Sequence, residues 1–221
     1  MISVRTVAVT AAVVVASLAG AGGAKAGPCG VATYDTYLVG GFSCTIGDKT
    51  FSDFSYTNTP TGGAAAVPAT DVTVNPIGPF DPGFRWAFGA FAATGQTNDL
   101  FFDYTVTVNA GGNLIDDAFE AVVGGRAGDG TVTLDEALDV PASLSASIPG
   151  SPTDTVSFNP TASVTVLGKD LFLFGGTTMG SNARASAVIN RFSEVPEPAT
   201  LALLGIGVLG LGVMRGRRKT G

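Results

Sequence analysis

The 221-residue chain contains no histidine. That removes Ser-His-Asp triads, Cys-His nucleophile pairs and histidine-bound zinc from consideration. Cysteine is almost as scarce: Cys29 and Cys44 are the only two, too few for a thiolate metal cage. Positive charge is thin as well. Between residues 27 and 195 six basic residues (Lys49, Arg85, Arg126, Lys169, Arg184, Arg191) face seventeen Asp and Glu, a net charge near −11. Such a body has no bulk positive charge with which to hold nucleic acid or an anionic polysaccharide.

Carboxylate-only chemistry survives these absences, as in glycoside hydrolysis, which needs two carboxyls facing one sugar. Asp116 and Asp117 are adjacent, so on a strand they point to opposite faces. No other pairing is visible in the sequence, and no enzymatic activity and no cofactor are expected.

What the chain does have is concentrated at its ends. "MISVRTVAVTAAVVVASLAGAGGAKAG" opens with Arg5, continues through an apolar stretch from Val7 to Ala19, and reaches Ala24-Lys25-Ala26. This is the layout of a signal peptide, with small residues flanking the bond that signal peptidase cuts. Cleavage is expected after Ala26, leaving Gly27 first; the alternative is an uncleaved signal anchor. In an oxidising compartment an even pair of cysteines favours a Cys29–Cys44 disulfide over two free thiols.

The other end reads "EVPEPATLALLGIGVLGLGVMRGRRKTG". Ala199 to Met214 is uncharged, and as a helix at ~1.5 Å per residue it spans about 24 Å, against a hydrocarbon core of ~30 Å. Bilayer thinning or snorkelling by Arg215 would make up the difference. A core helix would show a polar face, and this run shows none. Arg215, Arg217, Arg218 and Lys219 follow directly, and basic flanks stay cytoplasmic. Pro198 suits a first helical turn, while the residues before each proline favour extended backbone. Gly205, Gly207 and Gly210 spell G-x-G-x-x-G, but inside a membrane-length run rather than at a strand-to-helix turn, so a dinucleotide site is rejected. They do not form G-x-x-x-G either.

Pro196-Glu197-Pro198, the span 199–214 and the basic end 215–219, in that order, resemble the PEP-CTERM sorting signal of exported bacterial proteins. The resemblance implies recognition by an exosortase, an intramembrane cysteine protease, with cleavage near the triplet. It also implies a setting of exopolysaccharide and biofilm. The partners expected are therefore signal peptidase, exosortase, the membrane through the C-terminal helix, and exopolysaccharide, with no nucleic acid. The expected localisation is export across the inner membrane, anchoring by the C-terminal helix, then the cell surface or beyond.

The body alternates with a period of two. "DYTVTVN" sets Tyr104, Val106 and Val108 against Thr105, Thr107 and Asn109; "GFRWAFGAF" puts Phe84, Trp86 and Phe88 on one face; "ASAVINRF" does the same with Val188, Asn190 and Phe192. "ASVTVLGKDLFLFGG" reads as two strands around a Gly168-Lys169-Asp170 turn. "LIDDAFEAVV" has a helix-like pattern, and a family-like reading makes it a strand. The predicted fold is all-β: a single antiparallel β-sandwich domain over 27–192, between a signal-peptide helix (1–26) and, after a linker with the PEP motif (193–198), a transmembrane helix (199–214) and a basic cytoplasmic tail (215–221). Segments 58–70 and 193–197 are expected to be flexible. "SCTIGDKTFSDFSYTNT", Ser43 to Thr59, also resembles the opening of small β-rich proteins with the same tail, through its cysteine, the Gly47-Asp48-Lys49 turn, and Phe51, Phe54 and Tyr56.

Two binding readings compete with a purely structural body. "GRAGDGTVTLDE" places Asp129, Gly130, Val132 and Glu136 at calcium-loop positions five, six, eight and twelve, but Gly125 and Ala127 occupy the first and third and offer no side-chain oxygen. A Gly-rich turn before a strand is preferred. Trp86 is a stacking platform for a sugar if exposed, and a core residue if buried; its spacing favours core. The expected function is a non-enzymatic surface or matrix protein; the alternative is a glycan- or calcium-binding module.

Overall fold

The computed structural model describes residues 26–194. The expected signal-peptide residue Ala24, the motif residues Pro196, Glu197 and Pro198, the apolar run, and the basic residues Arg215, Arg217, Arg218 and Lys219 lie outside them. Among the described residues no helix is long and apolar enough to cross a membrane.

Thirteen strands form along the described chain: β1 (Gly27–Pro28), β2 (Ala32–Thr33), β3 (Ser43–Ile46), β4 (Lys49–Asn58), β5 (Thr73–Ile77), β6 (Gly83–Ala93), β7 (Thr97–Val108), β8 (Ile115–Ala127), β9 (Thr131–Leu138), β10 (Ser143–Ile148), β11 (Thr153–Thr161), β12 (Ser163–Phe174) and β13 (Asn182–Glu194). One helical turn, α1 (Tyr34–Tyr37), follows β2. The strands make two sheets. Sheet A has the order β1-β3-β4-β7-β12-β9-β10, and sheet B the order β11-β8-β13-β6-β5-β2. All pairings are antiparallel except β1 with β3. The described residues adopt the predicted all-β sandwich.

Alternation explains most of the strands. In β6, Phe84, Trp86 and Phe88 turn inward while Arg85 and Gly89 stay exposed; in β7, Leu100, Phe102, Tyr104 and Val106 are buried. The aromatic rings meet between the sheets. Trp86 is fully buried, with Phe84, Phe102 and Tyr104 centred 5.5–5.6 Å away. Such pairs add about 0.5–1.5 kcal/mol each beyond the area they bury. "LIDDAFEAVV" lies in β8, as a strand.

Where the inward residues fall three apart instead of two, the chain inserts a bulge. Phe51 and Phe54 are both directed at the core, and the extra residue is absorbed around Asp53, whose φ of 57° takes the left-handed region. A bulge of this kind restores the phase without ending the strand.

The same device overturns the expected Gly168-Lys169-Asp170 turn. β12 runs unbroken from Ser163 to Phe174, and the register shifts between Val166 and Lys169. Lys169 is therefore not at a hairpin tip. It lies in phase with Leu171 and Leu173, fully buried. Segment 58–70 is also tied down: Asn58 Oδ1 accepts the Val67 N–H at 2.7 Å, Tyr56 Oη donates to Val67 O at 2.6 Å, and Thr61 bridges Thr97. Ser193 and Glu194, expected in the linker, belong to β13.

Candidate functional site at the end of the last strand

β13 is an interior strand of sheet B, paired with β6 on one side and β8 on the other. Its last two residues are each held by side chains from elsewhere in the chain. The N–H and Oγ of Ser193 both donate to Asp117 Oδ1. Glu194 Oε1 accepts from Lys49 Nζ at 2.7 Å, and Glu194 Oε2 accepts from Asn113 Nδ2 at 3.1 Å.

Lys49 is brought there by the Gly47-Asp48 turn between β3 and β4. Gly47 has φ of 60°, a value that glycine adopts without a steric penalty. The turn returns the chain so that Lys49 points inward and its ammonium also reaches Asp48 Oδ1 at 2.6 Å. Asp48 Oδ2 in turn accepts the Asn113 N–H at 2.7 Å. Lys49 is sealed from solvent, while Asp48 and Glu194 keep 29% and 17% of their side-chain surface exposed. Partial burial pushes the Asp48 carboxyl up, but the Lys49 ammonium and the Asn113 N–H, both donating to it, outweigh this and hold it below the ordinary carboxylate range.

The N-terminal end of the described chain comes to the same region. Gly27 and Pro28 pair with Cys44 and Thr45, and Cys29 is bonded to Cys44 as a disulfide, as expected. Ala26 lines a cleft of about 710 Å³ whose walls include Gly47 and Asp48.

Residues 194–219 match the PEP-CTERM protein-sorting motif, so the match begins at the clamped Glu194. The chain carries a PEP-CTERM sorting signal. It is thereby an exported protein, anchored in the membrane by its C-terminal end before processing by an exosortase, an intramembrane protease. No curated protein and no solved structure matches the chain. With Glu194 in β13, Pro196 of the PEP-CTERM triplet follows two positions later in the sequence.

The remaining candidate sites lie elsewhere. Asp116 and Asp117 are not brought together on one surface; Asp117 is engaged with Ser193. A carboxylate pair that sequence reasoning did not find is formed by Glu120 and Glu136, which share the Lys169 ammonium; the Glu120 Oε2 contact is 3.0 Å. Asn190 Nδ2 donates to Glu136 Oε2 at 3.0 Å, and Tyr104 Oη donates to Asn190 Oδ1. All these side chains are buried between the sheets. Burial pushes Glu120 up to about 7, with Lys169 pulling it down and Glu136 adding to the rise. Glu136 is also raised, by burial first.

The calcium-loop pattern does not assemble, because Glu136 faces inward onto Lys169. Asp129 instead caps the loop before β13: Thr177 N and Oγ1 donate to its Oδ2 at 2.9 and 2.7 Å, and Ser181 Oγ donates to its Oδ1. These bonds hold its carboxyl well below the usual range, the Ser181 hydroxyl first among them. Among the described residues no group of three His, Cys, Asp or Glu side chains is placed to hold a metal ion. Trp86, being buried, offers no stacking face to a sugar.

Proposed function

We propose that the sandwich is a non-enzymatic body delivered to the cell surface or the extracellular matrix, in the setting of exopolysaccharide and biofilm that the PEP-CTERM signal suggests. One observation carries this reading. The last strand of a sealed sandwich becomes the sorting signal with no spacer, so the feature the fold visibly presents is its own exit. The interior holds polar chemistry, the Glu120–Lys169–Glu136 cluster, but encloses it. Signal peptidase cleavage after Ala26 places Gly27 beside that same exit.

The test is Glu197→Gln in a host with an exosortase. A helix start would lose a favourable charge worth ~0.3–1 kcal/mol, too little to stop insertion. A protease pocket pairing that carboxylate would lose roughly 2–5 kcal/mol, more than tenfold in recognition. The expected immunoblot shows the full-length, tailed form accumulating in the membrane and the shortened form missing from matrix and medium. Equal amounts of shortened protein from wild type and variant would remove Glu197 from the signal. A shortened wild-type form confined to the inner membrane would overturn the matrix role.

A further inference from the structure

The outer face of sheet A is acidic, while that of sheet B carries three arginines with Asp117 of β8 among them. On sheet A, Asp99 and Asp103 of β7, Asp135 of β9 and Asp170 of β12 all point away from the core, on three adjoining strands. Asp170 stands directly across from Asp135. No basic residue shares that face, because both of the body's lysines, Lys49 and Lys169, point inward and are buried. On sheet B, Arg85 of β6 and Arg184 and Arg191 of β13 point outward. Arg184 lies over Gly125 of β8, and the Arg191 guanidinium sits 4.5 Å from the centre of the Phe119 ring. None of these arginines forms an ion pair among the described residues.

Like charges opposite one another in a sheet are destabilising. Burial, then the Asp99 carboxyl beside it and Asp135 across the strand, push Asp170 up to about 7. Asp99 and Asp170 are close neighbours on that face, and each keeps part of its side chain exposed. Arginine is the side chain best shaped to satisfy paired carboxylates, through its planar fork of donors. The same chain displays it on its opposite face.

We propose that a second copy of this chain docks head to tail, the acidic outer face of sheet A on one copy against the arginine-bearing outer face of sheet B on the next. The area suffices. Five strands about 4.8 Å apart and ten residues long at ~3.3 Å each cover roughly 800 Å², the share each partner contributes to an interface of standard size. Apolar contact is available too, from half-buried Phe101 and Phe172 on sheet A and from Phe91 on sheet B, which is 50% exposed. Because the two docking faces differ, the contact does not close on itself. Each copy leaves one free face of either kind, so association extends as an open stack.

Sedimentation velocity of the full chain in detergent micelles tests this with two variants. One neutralises sheet A (Asp99→Asn, Asp135→Asn, Asp170→Asn), the other sheet B (Arg85→Gln, Arg184→Gln). Wild type is expected to grow past dimers as concentration rises, and to dissociate at least tenfold more readily at 1 M than at 0.1 M salt, where the screening length falls from ~10 to ~3 Å. Each variant alone is expected to associate at least tenfold more weakly. An equimolar mixture of the two should form a dimer and stop there, since it holds only one intact pair of faces. A wild type that stays monomeric, association unaffected by salt, variants that associate like wild type through the shared tail, or a mixture that forms nothing would each overturn the proposal. So would association of wild type that requires added calcium, which would assign the aspartates to a cation.

Discussion

Two lysines in this protein do the same thing in different surroundings. Lys49 and Lys169 are both sealed from solvent, and each ammonium holds two carboxylates. At Lys49 both partners reach the surface, so water carries the excess negative charge and Asp48 stays ionised below its ordinary range. At Lys169 both partners are buried, and burial, reinforced by the neighbouring Glu136, pushes Glu120 up to about 7 against the pull of Lys169. Glu120 Oε1 is a buried atom with no hydrogen-bond partner among the described residues. Solvent at the rim, rather than the number of ionic contacts, decides which cluster is a comfortable clasp and which is a strained knot.

The sharpest way to break the comparison is to remove each ammonium. Lys169→Met strands two carboxylates between the sheets, and removing one partner of a buried ion pair costs about 3–5 kcal/mol. Urea denaturation should show that loss, or a failure to fold that Lys169→Met with Glu136→Gln and Glu120→Gln partly restores. A loss under 1 kcal/mol would mean that the cluster is hydrated.

The second prediction concerns pH. Glu120 titrates near 7 when folded and near 4.5 as an unperturbed group, so the folded protein holds more protons between those values. The contribution of Glu120 to stability is therefore fully present below pH ~4.5 and is lost as pH rises through 7, by ~1–3 kcal/mol. The half-exposed Asp170 shifts in the same direction. Asp48 has the opposite sign but acts below the ordinary aspartate value of 3.8, outside this window. Denaturation midpoints should be higher at pH 5 than at pH 8, and Glu120→Gln should reduce the difference. A flat profile in wild type would contradict the sealed site.

The smallest effect is expected at the rim. Lys49→Met leaves two carboxylates that water can reach, so global stability should fall by only about 1–2 kcal/mol. The effect should be local: amide exchange at Glu194 should quicken while Asn190, deeper in β13, keeps its protection. Equal acceleration at both would show that the two lysine sites are energetically one.

Much of this fold can be read from alternation, and the places where reading fails have a common cause. Phe84, Trp86 and Phe88 declare a core face because they are spaced by two. Val166 and Lys169 are spaced by three, and Gly-Lys-Asp is turn chemistry, so the stretch reads as a hairpin. The contrary signal is the phase that Lys169 shares with Leu171 and Leu173. Pairing between clusters is a different matter. Lys49 and Glu194 are 145 residues apart, and Lys169 and Glu120 are 49 apart; no local pattern encodes such partners. The sorting signal is legible because its chemistry is linear, an order of proline, apolar run and arginine that needs no folding to exist. That Glu194 belongs to both the strand and the motif emerges only when the strand order is known.

The interior position of β13 has a mechanical consequence. Before processing, a pull between the body and the membrane enters the described fold at Glu194. β13 is bonded to β6 along Asn182–Arg191 and to β8 along Asn182–Glu194, so the load is shared by hydrogen bonds on both sides of the strand. An edge strand would be held from one side only. The body's other end is β1, a two-residue edge strand with little pairing of its own, and there the Cys29–Cys44 bond ties the chain covalently to β3. Tension on the tether therefore meets two bonded neighbours rather than one, which suits a body held at a membrane before it is processed.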